Sequence, residues 1–179
     1  MLTGSSVVVC GCDAARLRRC YDPPMPRPQV WTQYQFDRLV LDHMAPMLKR
    51  HGFRKSVHTW QTRLKGIVPL WGVVNLERHR DNSLHDIRFT INLGVRCSHE
   101  KWALRWWPGI SHCNERVRIG ELIGHGPELW WRIVPATTAP RTGLRFIDPQ
   151  TPEFLPLLEE VGVKWVKDRL EHYAKAMSV

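Results

Sequence analysis

Residues 87–95 read Ile-Arg-Phe-Thr-Ile-Asn-Leu-Gly-Val, and this stretch decides the fold. Its apolar side chains alternate with Arg88, Thr90 and Asn92, so the two kinds of side chain point to opposite faces of an extended strand. Asn75 and Glu77 lie in a similar run just before it. The pattern predicts two neighbouring, half-buried β-strands that share one polar face.

Further strand-like runs surround this pair, and turn residues at 81–83 separate the two strands of the pair. Because the connections are short, an antiparallel meander is the economical topology. Pro69 and Gly72 suggest an edge position or a bulge early in their strand. The predicted strands are residues 57–64, 67–79, 86–95, 116–123 and 129–134.

Helical spacing of apolar residues precedes and follows the strands. The first helix is expected from Thr32 as its cap to Gly52 as its stop, with a kink or a break at Pro46. The last helical segment is expected to start at Thr151, with Gly162 dividing it into two. The sequence therefore predicts an α+β fold, in which an N-terminal helix and C-terminal helices pack on one face of a mostly antiparallel sheet.

The 179 residues fit one domain of ordinary size. Residues 1–30 differ from the rest in their density of proline, which predicts a flexible N-terminal extension ahead of a single domain at residues 31–179. The five cysteines form an odd number, and neither an export signal nor a membrane-spanning run is recognisable. These features favour a reducing, cytoplasmic setting with free thiols.

The formal net charge is +9, and residues 31–147 carry most of it. Such a balance favours acidic or polyanionic partners. A nucleic-acid-binding domain is one alternative, although the chain lacks a zinc-finger spacing, an RNA-recognition signature and a phosphate-binding Gly-rich loop.

Five short motifs follow one another along the chain, namely Gly52-Phe53-Arg54-Lys55-Ser56 with Trp60, Val74-Asn75-Leu76, Phe89 to Val95, Arg118-Ile119-Gly120 and Trp130-Trp131. Together they resemble the bacterial DUF4304 family over residues 33–170. Two segments depart from the family pattern, namely Val57-His58 and the loop at residues 135–145. The resemblance implies a domain of unknown function without an assigned active site, so it supports the fold and supplies no chemistry.

The polar face of the central sheet is the first candidate for a binding site. Asparagine is a poor strand former, and covered Asn and Thr side chains need hydrogen-bond partners, so such a face is either exposed or suited to a polar ligand. Trp131 is added because tryptophan beside arginine is typical of contact surfaces. In each adjacent Trp pair, one ring is expected in the core and the other near the surface. The candidate binding residues are Asn75, Glu77, Arg88, Thr90, Asn92 and Trp131.

Two further constellations could carry chemistry. Cys97, His99, His112 and Cys113 offer zinc ligands, but their spacing matches none of the usual zinc patterns, so no metal and no cofactor are predicted. Histidines and carboxylates are frequent in the central region, yet no serine or cysteine lies in a nucleophile motif. An enzyme of unknown reaction therefore stays an alternative without named catalytic residues.

The favoured hypothesis is a non-catalytic, cytoplasmic module that binds a protein partner through the polar face. An accessory or toxin-neutralising role would suit such a module by fold-level analogy. The sequence indicates neither the partner nor the oligomeric state.

Overall fold

The computed structural model describes residues 28–64, 68–97, 108–134 and 153–178. Within them a six-stranded antiparallel sheet is ordered β1-β2-β3-β4-β5, and β6 also pairs with β4. The strands β5 and β6 lie beside different parts of β4, because β5 pairs with residues 92–95 and β6 with residues 87–89. The strands are β1 (Arg54–Ser56), β2 (Thr59–Leu64), β3 (Leu70–Arg78), β4 (Ile87–Cys97), β5 (Glu115–Arg118) and β6 (Trp131–Ile133).

The central pair keeps one register along its whole length, from Leu70 opposite Cys97 to Arg78 opposite Phe89. This register contains no bulge, and β3 lies between β2 and β4, so the expectation drawn from Pro69 and Gly72 is wrong. Gly72 is instead required by packing, since a Cβ atom there would lie 2.4 Å from Cγ1 of Val166.

The N-terminal helical segment consists of α1 (Pro28–Arg38), a π-helical turn (Leu39–Met44) and α2 (Ala45–Arg50). Pro46 has no N–H to donate, and its ring excludes the carbonyl of residue 42, so the helix widens just before the proline instead of ending there. Thr32 is not a cap, because α1 already begins at Pro28 and Thr32 is buried within it. The helix thus starts inside the segment predicted as an extension, and residues 1–27 lie outside the described parts.

After the short helix α3 (Ile119–Leu122), the C-terminal segment forms α4 (Phe154–Leu157), a π-helical turn (Leu158–Val163) and α5 (Lys164–Ala176). Gly162 does not divide this segment, since it lies within the π-helical turn and packs near Leu93 and Ile119. The predicted strand at 116–123 is too long, because β5 ends at Arg118 and α3 follows directly.

The N-terminal and C-terminal helices cover the same face of the sheet. Phe89 on β4 lies at the centre of this contact, with its ring centroid 5.6 Å from Phe36 of α1 and also 5.6 Å from Phe154 of α4. Trp131 stacks on Phe89 from β6, at 5.9 Å. All four rings are at most 2% exposed. The predicted α+β architecture is therefore confirmed, and we call this side of the sheet the helix face.

Among the helices that the structure describes, none combines the length and the apolar character needed to cross a bilayer.

Candidate functional site

The second side of the sheet, which we call the polar face, is assembled by strand register. Asn75 lies opposite Asn92, and Glu77 lies opposite Thr90. Because directly opposed residues of an antiparallel pair project to the same side, these four predicted residues share one face. Arg88 follows the same alternation and joins them. The structure thus brings five of the six predicted binding residues together.

The sixth candidate, Trp131, belongs to the helix face. It pairs with Phe89 across β6 and β4, and only 2% of it is exposed. Its neighbour Trp130 is the ring near the surface, where the Arg118 guanidinium lies 5.4 Å from the ring centroid. The prediction that this Trp pair divides between core and surface is confirmed, but the wrong member was assigned to the binding face.

Strands β5 and β6 bring three more arginines to the polar face. Arg116 and Arg118 of β5 lie opposite Gly94 and Asn92, and Arg132 of β6 lies opposite Arg88. Sequence reasoning did not include them, although the alternation Arg116-Val117-Arg118-Ile119 places both β5 arginines on one side of a strand.

Asp86 neutralises the outer part of this arginine cluster. Arg132 donates two hydrogen bonds to its carboxylate, of 2.6 Å and 2.7 Å, and Arg88 donates two more to Oδ2, of 3.0 Å and 3.2 Å. Desolvation of Asp86 alone would raise its pKa, but the hydrogen bonds from Arg132 and Arg88 hold the pKa below its ordinary value. Asp86 is therefore a fixed anion that orders two arginine side chains.

A second network fixes the central polar residues. The Asn92 amide donates to Oε2 of Glu77 at 2.6 Å, and Nη2 of Arg118 donates to the same oxygen at 3.5 Å. Nη1 of Arg118 donates to the Pro127 carbonyl at 2.9 Å. On β3, the Asn75 amide donates to the Thr59 hydroxyl at 3.0 Å. These bonds hold Glu77, Asn92 and Arg118 in a defined arrangement.

A pocket of about 290 Å³ opens beside this network. Arg116 is exposed there and forms no ion pair with a carboxylate in the part of the chain that the structure describes. Both charge signs are thus present at the pocket, with an unpaired cation at its mouth. The lining residues are Glu77, Asn92, Ile110, Arg116, Val117, Arg118 and Glu121.

One part of the polar face is covered. The Gln61 amide donates to the Pro108 carbonyl at 2.6 Å, and a Cβ atom on Gly94 would lie 2.6 Å from Sγ of Cys113. The segment 108–113 therefore packs against this part of the face. Thr90 is also buried, and its hydroxyl has no hydrogen-bond partner among the described residues. The accessible site consists of Glu77, Arg116, Arg118 and Glu121, together with Asn92, which lines the pocket although it is only 8% exposed.

The two cysteine candidates for a metal site lie on opposite faces of the sheet. Cys97 contacts Sδ of Met177, which follows α5 on the helix face, whereas Cys113 packs over Gly94 on the polar face. Burial raises the pKa of the Cys113 thiol to about 12, so this thiol stays protonated. Within the described ranges no group of three or more His, Cys, Asp or Glu residues is arranged to hold a metal ion. His99 lies outside those ranges.

Val57 belongs to one of the two segments that depart from the family pattern. It occupies the two-residue turn between β1 and β2 with a φ of 55°, a conformation in which small residues are preferred. The second departure, the loop at residues 135–145, lies outside the described residues.

Comparison with known proteins gives a family and no activity. The model of a domain of unknown function, DUF4304, matches residues 44–141. Neither a curated protein nor a solved structure matches the chain. Since the family match covers more than half of the chain, the protein belongs to the DUF4304 family.

Proposed function

We propose that this protein is a non-catalytic binding module, and that the open part of its polar face binds an acidic segment of a protein partner. The observation that carries the proposal is the exposed cation Arg116, which has no ion-pair partner among the described residues and lies at a pocket where hydrogen bonds fix Glu77 and Arg118. Accessory roles, the neutralisation of a toxin among them, belong to this class of function.

The charge balance of the face supports an acidic partner. Arg88 and Arg132 share the carboxylate of Asp86, and Arg118 shares that of Glu77, which leaves Arg116 available to an incoming carboxylate. Arginine binds carboxylates with two parallel N–H donors, so an acidic side chain is a suitable ligand. Electrostatic attraction of this kind mainly increases the rate of association and the specificity.

The mixed charge of the pocket favours a peptide over a nucleic-acid backbone. Glu77 and Glu121 line the same pocket as Arg116 and Arg118. A phosphate backbone carries one repeated negative charge, which these two carboxylates would repel. A polypeptide offers amide donors for the carboxylates together with acidic side chains for the arginines.

A nucleic-acid-binding function is the second candidate, and the contact between Trp130 and Arg118 favours it. His79 lies against the same ring, with centroids 4.8 Å apart. Aromatic rings beside arginine serve as stacking platforms for unpaired bases. This alternative requires Trp130 to be part of the binding surface.

The test measures fluorescence anisotropy of a short labelled oligoglutamate peptide and of labelled single- and double-stranded oligonucleotides across a salt series. We expect the wild-type protein to bind the peptide, and Arg116→Glu to weaken that binding by about tenfold or more, because an attractive contact becomes repulsive. Lys175→Glu makes the same charge change on α5, on the helix face, and should leave binding nearly unchanged.

Equal losses from Arg116→Glu and Lys175→Glu would contradict the proposal, since net charge and not the site would then control binding. Oligonucleotide binding that decreases log-linearly with salt and is lost in Trp130→Ala would replace it with the nucleic-acid function.

A further inference from the structure

A second pocket lies on the helix face, separate from the proposed partner site. It is formed between the N-terminal helical segment and the β1–β2 hairpin, and its volume is about 500 Å³. This volume is within the range of about 300–1,000 Å³ that is usual for small-molecule sites. The lining residues are Leu41, Ala45, Pro46, Lys49, Phe53, Arg54, Lys55 and Trp60.

The wall of this pocket is apolar and well supported. Phe53 and Trp60 are 2% and 1% exposed, so the protein core holds their rings in place. Leu41, in contrast, is 55% exposed, although it is a large apolar residue at the edge of a concave surface. Leu41, Ala45 and Lys49 are four residues apart and therefore line one side of the helical segment. The apolar part of a ligand in this pocket would cover Leu41, which water otherwise contacts.

The charged residues of the pocket all have the same sign. Lys49, Arg54 and Lys55 are exposed, and no carboxylate is found among the described residues that line the pocket. In the described parts of the chain, none of the three forms an ion pair. Nζ of Lys55 lies 5.8 Å from the centroid of the Trp60 ring, so at least one cation is next to the apolar wall. An anionic group would be favoured at this position.

These features together define the class of ligand. Exposed cations beside an apolar wall indicate an anionic group on an apolar body.

From this geometry we infer that the pocket binds a medium-chain aliphatic carboxylate. The alkyl chain lies against Leu41 and the edges of the Phe53 and Trp60 rings, and the carboxylate faces Lys49 and Lys55. This site is on the opposite side of the sheet from the proposed partner site and does not depend on that function.

The test is isothermal titration calorimetry of the full chain with decanoate below its micelle concentration. Decanol and decyltrimethylammonium serve as matched ligands with no charge and with the opposite charge. We expect decanoate to bind about tenfold or more tightly than either, because charge-assisted hydrogen bonds distinguish it from both. Equal binding of decanol or decyltrimethylammonium would overturn the inference, as would a lack of decanoate binding.

Two variants locate the ligand. Ala45→Phe fills the pocket and should abolish decanoate binding, and Lys49→Gln combined with Lys55→Gln should weaken it by about tenfold. The control Lys175→Gln removes one exposed cation from α5 and should leave the affinity unchanged.

The double lysine variant keeps the test decisive if Ala45→Phe does not fold, because both lysines are exposed. Unchanged affinity in the double lysine variant would overturn the inference. Displacement of decanoate by the oligoglutamate peptide would also overturn it, since the pocket would then be a peptide site.

Discussion

The two faces of the sheet are made by alternate residues of the same strands, yet they are stabilised differently. On the helix face, Phe89 packs among the rings of Phe36, Phe154 and Trp131. On the polar face, the neighbouring residue Arg88 is held by hydrogen bonds to Asp86. Hydrophobic burial on one side therefore secures the fold, and the other side is able to carry charged groups.

The largest expected difference between the faces concerns Phe89. Phe89→Ala should lower the free energy of unfolding by about 3–5 kcal/mol, because it removes a fully buried ring and leaves a cavity. Arg116→Ala on the polar face should change it by no more than about 0.5 kcal/mol. Urea denaturation followed by circular dichroism measures both, and similar losses would contradict the division between the faces.

A substitution at Gly94 tests whether segment 108–113 covers the polar face. Gly94→Ala places a Cβ atom 2.6 Å from Sγ of Cys113, and Gly72→Ala on the helix face places one 2.4 Å from Cγ1 of Val166. Both should cost about 1–3 kcal/mol, because neither neighbour has free space to move into. Gly109→Ala, whose new Cβ would have no contact shorter than 3.6 Å, is the control. In thermal denaturation, a Gly94→Ala protein as stable as the control would mean that segment 108–113 does not pack on the sheet.

Asp86 should make the polar face sensitive to acid. The carboxylate has a folded-state pKa below its ordinary value of 3.8, so its contribution to stability is present above about pH 4 and is lost as the pH falls through the folded-state pKa. Asp86→Asn should lower the free energy of unfolding by about 1–2 kcal/mol at neutral pH, because it leaves two arginines without their anion.

The difference between wild type and Asp86→Asn should shrink below about pH 4 in urea denaturation at a series of pH values. A difference that stays constant with pH would show that the ion pairs do not stabilise the fold.

The smallest expected effect is that of Thr90→Val. The Thr90 hydroxyl is buried without a partner among the described residues, so replacing it with a methyl group should leave the stability unchanged or raise it by up to about 1 kcal/mol. Loss of more than about 1 kcal/mol in the same denaturation assay would show that the hydroxyl forms a bond that stabilises the fold.

Strand pairing and the polar face could be predicted from sequence because alternation with period two is a local pattern. The register that places Asn75 beside Asn92 follows from a short turn between two amphipathic strands. The face of the sheet on which Trp131 lies could not be predicted. Both residues of Trp130-Trp131 are equally apolar, and only the start of β6 decides which one enters the core.

Features that depend on contacts distant in sequence were missed. The three-residue strand β1 has no buried residues and therefore no alternation to detect. Asp86 stands at the start of the predicted strand 86–95, but its main partner Arg132 lies 46 residues later, so the sequence does not reveal the ion pair. The apolar pocket lies between the N-terminal helical segment and the β1–β2 hairpin, so its volume depends on the distance at which these two elements pack.

Binding of an acidic peptide at the polar face is tested most directly by mapping amide chemical-shift changes in ¹⁵N-labelled protein during titration with the oligoglutamate peptide. We expect changes at Glu77, Asn92, Arg116 and Arg118 on the polar face, and no changes along α5. Changes along α5 or at the β1–β2 hairpin, with the polar face unaffected, would contradict it.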